Sequence, residues 1–165
     1  MKLPKIFVQA IFLIWLTASA VSAGPTWKAG AARAIITPET PVWLAGYGSK
    51  RPPDGKLHDL WMKALALEDP AGNRAVLITS DFQGIPKHMS DRVIAEAKVR
   101  FKLERANLMI TYSHNHCGPR LGLDLVDYYP VEPEQEKLVD EYTALMEKRM
   151  VALIGEALGK LGIGS

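Results

Sequence analysis

The chain has 165 residues, of which 48% are hydrophobic and 23% are charged. This composition excludes a disordered tail, a collagen-like fibre and a coiled-coil rod, and the length allows one domain. The chain has 20 basic and 18 acidic residues but no basic tract that could follow a phosphate backbone, which argues against nucleic acid as a partner.

The first 23 residues are typical of a secretory signal peptide. Lys2 and Lys5 form a basic start, an apolar run covers Ile6–Leu16, and small residues lead up to Ala23. The alternative is an N-terminal membrane anchor, but the apolar run is short for a span of about 20 residues. We therefore expect cleavage near Ala23, a mature chain over residues 24–165, and a secreted or periplasmic location.

The mature chain begins with a predicted strand and a loop. Trp27–Ile36 favours a strand, and the Thr-Pro pair that follows would end it. Residues 41–55 are rich in glycine and proline and predict a loop with two exposed aromatic side chains, Trp43 and Tyr47.

A hairpin is predicted next. Leu60–Leu67 reads as a strand, and the turn residues at 69–73 join it to the apolar run Ala75–Thr79. Because that run is continuously apolar, we expect a strand that is buried on both faces.

The second half predicts two helices around one more strand. Helical spacing of apolar residues covers about Lys87–Lys102, Leu108–Tyr112 reads as a buried strand, and a long helix is expected over about Pro133–Leu161. A loop over about 114–132 separates the last strand and helix. The fold class is therefore α/β, with a small mixed sheet, a βαβ unit and a long C-terminal helix.

The βαβ unit brings polar residues together at one edge. Its two strands should be parallel, so both end on the same edge of the sheet, where ligands of open α/β sheets bind. The first strand ends at Asp81 and the second runs into His114 and His116. On an extended chain, side chains two residues apart point the same way, so both imidazoles are expected to face one ion or one substrate.

The chemistry of these residues leaves alternatives open. Neutral imidazole is a common zinc ligand, but a catalytic zinc needs about three protein ligands, so two histidines form an incomplete site. Asp81 is either an outer-shell partner of a histidine or a loop cap. Cys117 is the single cysteine, so no internal disulfide is expected, and we interpret it as inert rather than as a nucleophile or ligand. His58 and His88 are interpreted as surface residues.

Six segments in order carry a further signature: Ala29–Pro38, Leu44–Gly48, Leu57–Asp59, Lys63–Asp69, Thr79–Asp81 and Ser113–Pro119. Together they resemble the N-terminal part of the neutral/alkaline, non-lysosomal ceramidase family. The resemblance covers roughly Ala29 to Pro119, and its opening and its His-x-His-x-Gly-Pro motif are fairly specific in combination.

The resemblance implies a secreted zinc amidase that hydrolyses the N-acyl bond of ceramide. It maps a zinc ligand onto His114, a residue beside the metal onto His116, and the aspartate that ends the preceding strand onto Asp81. We therefore expect His116 and Asp81 to be catalytic and His114 to bind Zn²⁺, one ion per complete site. The substrate would be a lipid or another N-acyl small molecule, hydrolysed by a metal-activated water.

Departures from the family pattern open other interpretations. Asn115 and Cys117 replace the usual threonine and serine, and the family's remaining zinc ligands come from far downstream of this region. Residues 24–165 would then be the N-terminal portion of a ceramidase-like catalytic domain, with zinc absent and little activity alone. The alternatives are a hydrolase of another amide or ester, or a non-catalytic secreted interaction domain. An incomplete fold also predicts self-association through uncovered apolar surface.

Overall fold

The computed structural model describes residues 26–130 and 132–163. The predicted signal peptide, residues 1–23, lies outside this range. Within it, no helix has both the length and the apolar character that a membrane crossing requires.

A mixed five-stranded sheet organises the described chain. Its strands are β1 (Lys28–Ile35), β2 (Trp61–Glu68), β3 (Arg74–Ser80), β4 (Leu108–Tyr112) and β5 (Gly162–Ile163), in the spatial order β4-β3-β2-β1-β5. β2 is antiparallel to both β1 and β3, whereas β3 and β4 are parallel. The predicted α/β class, hairpin and βαβ unit are confirmed, and the two-residue strand β5 is an addition that the sequence pattern did not indicate.

Among the described residues, two α-helices and one short 3₁₀ helix, Arg105–Asn107, accompany the sheet. Helix α1 covers Lys87–Phe101 and ends at Lys102, whose left-handed φ of 60° breaks the helical path. Helix α2 covers Pro133–Gly159. Its first residue is a proline, which suits this position because the first amide of a helix has no intrahelical partner. Both helices agree with the predicted ones to within two residues at each end.

Both helices pack on the same face of the sheet. α2 lies on β1 and β2 and contacts α1, and a single apolar core joins them to the sheet. Met62 and Ile78 supply the sheet side of this core, and Met150 and Ile154 supply part of the helix side; none of the four is exposed to solvent. This placement leaves the second face of the sheet without a covering layer among the described residues.

The prediction that the third strand is buried on both faces is wrong. Only alternate residues of β3 are buried, namely Val76, Ile78 and Ser80. Leu77 points to the opposite face and is 38% exposed. A continuous apolar run shows that both faces of a strand are apolar, but it does not show that another layer covers both of them.

We call this second face the open sheet face. Four apolar residues lie across it in register, one from each of four neighbouring strands: Ala31, Leu65, Leu77 and Met109. All four are exposed, Met109 to 63%. A contiguous apolar row of this kind usually marks an interface. The predicted self-association therefore remains a prediction with a defined surface.

Candidate functional site

The carboxyl edge of β3 and β4 holds the candidate site. The parallel pairing continues past the ends of both strands, because the Ser113 amide donates to the Ser80 carbonyl at 2.9 Å and the Asn115 amide donates to the Phe82 carbonyl at 3.1 Å. These bonds bring the segment after β3 alongside the segment after β4. Asp81 and the two histidines therefore lie at one edge, as the strand topology predicts.

His114 is oriented by a backbone carbonyl. Its Nδ1 lies 2.8 Å from the Gln83 carbonyl oxygen. Because a carbonyl oxygen only accepts, Nδ1 must carry the proton, and the neutral ring then has its lone pair on Nε2. A histidine with this arrangement resembles a metal ligand, since ligating imidazoles usually donate their second nitrogen to a carbonyl or carboxylate.

The backbone at His114 is left-handed, with φ of 57°. The expectation that this stretch is extended is therefore wrong, although its consequence holds and the two imidazoles face each other. The Nε2 atoms of His114 and His116 are 3.1 Å apart, and the ring centroids are 4.9 Å apart. Since Nε2 of neutral His114 is an acceptor, Nε2–H of His116 is the donor of this bond.

A second loop contacts His116 from the other side. The Tyr47 ring meets the His116 ring edge-on at 5.0 Å, and the Arg51 guanidinium lies 4.4 Å from the centre of the Tyr47 ring. Arg51 also donates from Nη1 to the His116 carbonyl oxygen at 3.0 Å. Gly46 packs against the imidazole so closely that a Cβ there would lie 2.4 Å from His116 Cγ. No pairing rule for distant loops could have revealed these contacts from the sequence.

Backbone bonds tie this loop to the histidine segment. The Ala45 amide donates to the Gly118 carbonyl at 2.9 Å, and the Arg120 amide donates to the Trp43 carbonyl at 2.8 Å. Trp43 is 6% exposed, so its predicted exposure is wrong, whereas Tyr47 is exposed as expected. The loop over 41–55 is thus joined to the site by a short antiparallel pairing.

Tyr129 contacts the loop over residues 41–55, and Arg120 packs against Tyr129. The Gly46 amide donates to the Tyr129 hydroxyl at 2.7 Å. Burial raises the pKa of this hydroxyl above its usual value. The Arg120 guanidinium lies 4.6 Å from the Tyr129 ring centre and donates from Nη1 to Glu136 of α2 at 2.8 Å. Next to this cluster, burial raises the pKa of Asp124.

Asp81 has contacts that differ from those of the histidines. Its Oδ2 accepts from the Trp61 amide at 2.8 Å, and the Ser113 hydroxyl lies 3.5 Å from its Oδ1. No hydrogen bond joins it to His114 or to His116 in the described part of the chain. Its carboxylate therefore connects the start of β2 with the start of the histidine segment.

Three other candidate residues are Cys117, His58 and His88. Cys117 is exposed, which excludes a role as a small buried residue. The His58 side chain is exposed, with Nδ1 3.1 Å from the Asp59 carbonyl oxygen. His88 lies at the start of α1 and is half-buried. Among the described residues, neither of these two histidines completes a group of three potential metal ligands with the pair.

The fit of these residues to a metal ion is partial. Among residues 26–130 and 132–163, no three histidine, cysteine or acidic side chains are grouped closely enough to hold one. The donor chemistry of His114 nevertheless suits zinc, because the Gln83 carbonyl sets its tautomer and leaves a lone pair on Nε2, which faces Nε2 of His116. His114 and His116 are the two candidate ligands in this part of the chain.

The fold closely resembles solved structures. Residues covering 84% of the chain superpose on the crystal structure of neutral ceramidase from Pseudomonas aeruginosa, with a TM-score of 0.67 and 22% identity. They also superpose on a structure described as ceramidase complexed with C2, with a TM-score of 0.70 and 26% identity. The chain is neutral-ceramidase-like. Its match spans 22% of the length of each of these two proteins.

The other comparisons add no second relationship. No family model matches the chain, and a comparison with curated proteins finds no significant similarity. The predicted resemblance to the neutral ceramidases is thus confirmed by the three-dimensional fold, and the roles of individual residues rest on the geometry described above.

Proposed function

We propose that this neutral-ceramidase-like chain supplies one part of a secreted zinc amidase site that hydrolyses the N-acyl bond of ceramide. The observation that carries the proposal is the His114–His116 pair. The two Nε2 atoms meet at 3.1 Å on the carboxyl edge of a parallel strand pair, within a fold shared with neutral ceramidases.

In this proposal His114 is the zinc ligand. Its Nδ1 is bonded to the Gln83 carbonyl, which fixes the ring and leaves Nε2 for the metal. Zinc in such a site supplies Lewis acidity toward an amide carbonyl and lowers the pKa of a bound water.

His116 is the proposed catalytic donor. When both imidazoles are neutral, the Nε2–H of His116 donates to the Nε2 lone pair of His114. With zinc held by His114, this N–H would no longer donate to the His114 ring and would be free to donate to an oxygen of the substrate, where it would stabilise negative charge. Asp81 acts less directly, because its carboxylate anchors Ser113 and the amide of Trp61 rather than an imidazole.

The similarity of the fold to ceramidase structures suggests the class of substrate. A lipid with an N-acyl bond is the expected substrate, after export of the chain to a secreted or periplasmic location. Because this proposal finds one zinc ligand, His114, among the described residues and about three are needed, the chain alone should bind zinc weakly and hydrolyse ceramide poorly.

Zinc content of the purified chain tests the proposal. We expect zinc to bind to the unaltered chain and to be lost in His114→Ala, while His58→Ala, an exposed histidine away from the site, retains it. Absence of zinc from the unaltered chain at all added concentrations would contradict the proposal. That result would favour the alternative function, a non-catalytic secreted interaction domain.

Activity gives a separate test of site completeness. Short-chain N-acyl sphingosine is incubated with the purified chain and added zinc, with His114→Ala as the control. Turnover no greater than that of the control is expected. Clear turnover that depends on His114 would show that the chain completes its own site, and the expected need for further ligands would be wrong.

A further inference from the structure

The loop that contains Gly46 approaches His116 more closely than an ordinary residue would permit. Gly46 has φ of +96°, a left-handed conformation that favours glycine. A Cβ at this position would lie 2.4 Å from Cγ and 2.5 Å from Nδ1 of the His116 ring. Any other residue here would therefore be strained and would also displace the imidazole.

Two further side chains restrict His116 from the same loop. The Tyr47 ring meets the imidazole at an interplanar angle of 85°, an edge contact of the kind that aromatic pairs prefer. Arg51 stacks on Tyr47 and bonds to the carbonyl of His116, so one guanidinium holds both the aromatic ring and the histidine backbone. The imidazole is thus limited by a backbone surface on one side and an aromatic edge on another.

We propose that Gly46, Tyr47 and Arg51 are positioning residues that hold the His116 imidazole with Nε2–H directed at Nε2 of His114. We call these three residues the His116 clamp. Its catalytic meaning rests on the proposed function, since a donor at His116 matters only if that N–H later acts on substrate. The clamp consists of contacts between residues of this chain, and the direction of the His116 N–H is that of the zinc-free pair.

Two hydrogen bonds hold the part of the loop that contains Gly46. The Tyr129 hydroxyl accepts the Gly46 amide at 2.7 Å, and the Ala45 amide bonds to the Gly118 carbonyl at 2.9 Å. These bonds fix the loop at Gly46 and at the residue before it, so this part of the loop has little freedom to retreat from a larger residue. A substitution at Gly46 should therefore move the His116 ring rather than the loop.

A nuclear magnetic resonance measurement reads the clamp directly. In the purified chain, freed of zinc with a chelator and labelled with ¹⁵N-histidine, at about pH 8 where ordinary imidazoles are neutral, the bond between the two Nε2 atoms should give a ¹⁵N–¹⁵N coupling across the hydrogen. We expect this coupling to be lost in Gly46→Ala. The matched control is Gly72→Ala, because Gly72 also has a left-handed φ, +87°, but a Cβ there meets nothing within 4 Å.

A second pair of variants covers the case in which Gly46→Ala fails to fold. Tyr47 is 49% exposed, so its replacement should leave the core intact. Tyr47→Leu removes the aromatic edge and should abolish the coupling, whereas Tyr47→Phe keeps the ring and should retain it. A role limited to general stability would move the unfolding midpoint without separating Leu from Phe in the coupling.

The outcomes distinguish the clamp from the proposed function. Coupling that persists in both Gly46→Ala and Tyr47→Leu, or that is missing from the unaltered chain, would overturn the clamp whatever the zinc result. Coupling that follows the expected pattern in a chain that never binds zinc would support the clamp and contradict the zinc amidase.

Discussion

The buried ion pair between Arg120 and Glu136 should contribute far more to stability than a surface pair of the same type. The Arg120 side chain is 3% exposed, whereas that of Glu136 is 31% exposed. The guanidinium donates to the two carboxylate oxygens at 2.8 and 3.5 Å, and its Nε has no hydrogen-bond partner among the described residues. Removal of Glu136 would therefore take away both side-chain hydrogen bonds that this buried cation makes within residues 26–130 and 132–163.

Glu136→Ala and Arg120→Met should lower the free energy of unfolding by different amounts. Breaking a buried ion pair by removing one member costs about 3–5 kcal/mol, and the partial exposure of Glu136 places Glu136→Ala near about 2–3 kcal/mol. Arg120→Met should cost less, because methionine keeps the apolar volume against Tyr129 and the remaining Glu136 carboxylate can be hydrated. In the double variant the unpaired buried charge is absent, so most of the cost of Glu136→Ala should disappear.

A double-mutant cycle isolates this coupling. Urea unfolding of the four chains should give a coupling of about 1.5 kcal/mol or more between Arg120 and Glu136, and Glu136→Ala should lower the midpoint by about 1 M. The favourable interaction of Glu136 with the N-terminus of α2 cancels in the cycle, because it is present with either residue at position 120. Arg92 and Glu147 form the comparison pair, in which the arginine is 57% and the glutamate 17% exposed; because this guanidinium is hydrated, the pair should couple by about 0–1 kcal/mol. Equal coupling in the two cycles would refute the reasoning.

Three further outcomes are expected. Phe82 is not exposed and packs edge-on against Tyr142, so Phe82→Ala should cost about 3–5 kcal/mol in urea unfolding and Phe82→Leu clearly less; equal costs would contradict the cavity argument. Hydrogen bonds from Lys28 and Arg74 lower the pKa of Glu68 below its ordinary 4.5. The stabilising effect of this carboxylate is therefore present above about pH 4.5 and is lost as the pH falls through the lowered pKa. Glu68→Gln should flatten this part of the acid-unfolding curve, and an unchanged curve would exclude the effect. The chain should self-associate through the open sheet face, so Leu77→Lys should lower the mass measured by light scattering, and a monomeric unaltered chain would count against it.

Local patterns were sufficient to predict the elements of this fold. Alternating and helical spacing of apolar residues located four strands and two helices close to their observed ends, because these periods follow directly from backbone geometry. The parallel pairing of β3 and β4 also followed, since a strand–helix–strand connection has one common handedness. From that pairing alone, Asp81 and the histidines could be assigned to one edge of the sheet.

Local sequence patterns do not predict which face of a sheet is covered or which loops contact each other. The apolar run in β3 does not reveal whether a layer covers each face, so the exposure of Leu77 was not predicted. Trp43 was expected at the surface because its neighbours favour a loop, but its carbonyl pairs with the Arg120 amide and its ring is buried. Both errors concern contacts between residues far apart in sequence, which composition and periodicity do not encode.

The histidine pair shows how a correct expectation can rest on the wrong local geometry. An extended chain would direct residues 114 and 116 to the same side, but the left-handed backbone at His114 removes that regularity. A non-glycine residue in this conformation is unfavourable by about 1–2 kcal/mol, so other contacts must hold it there. The Gln83 carbonyl holds one ring and the His116 clamp holds the other. The facing of the two Nε2 atoms is therefore a product of tertiary contacts, and substitutions that leave both histidines intact should still be able to separate them.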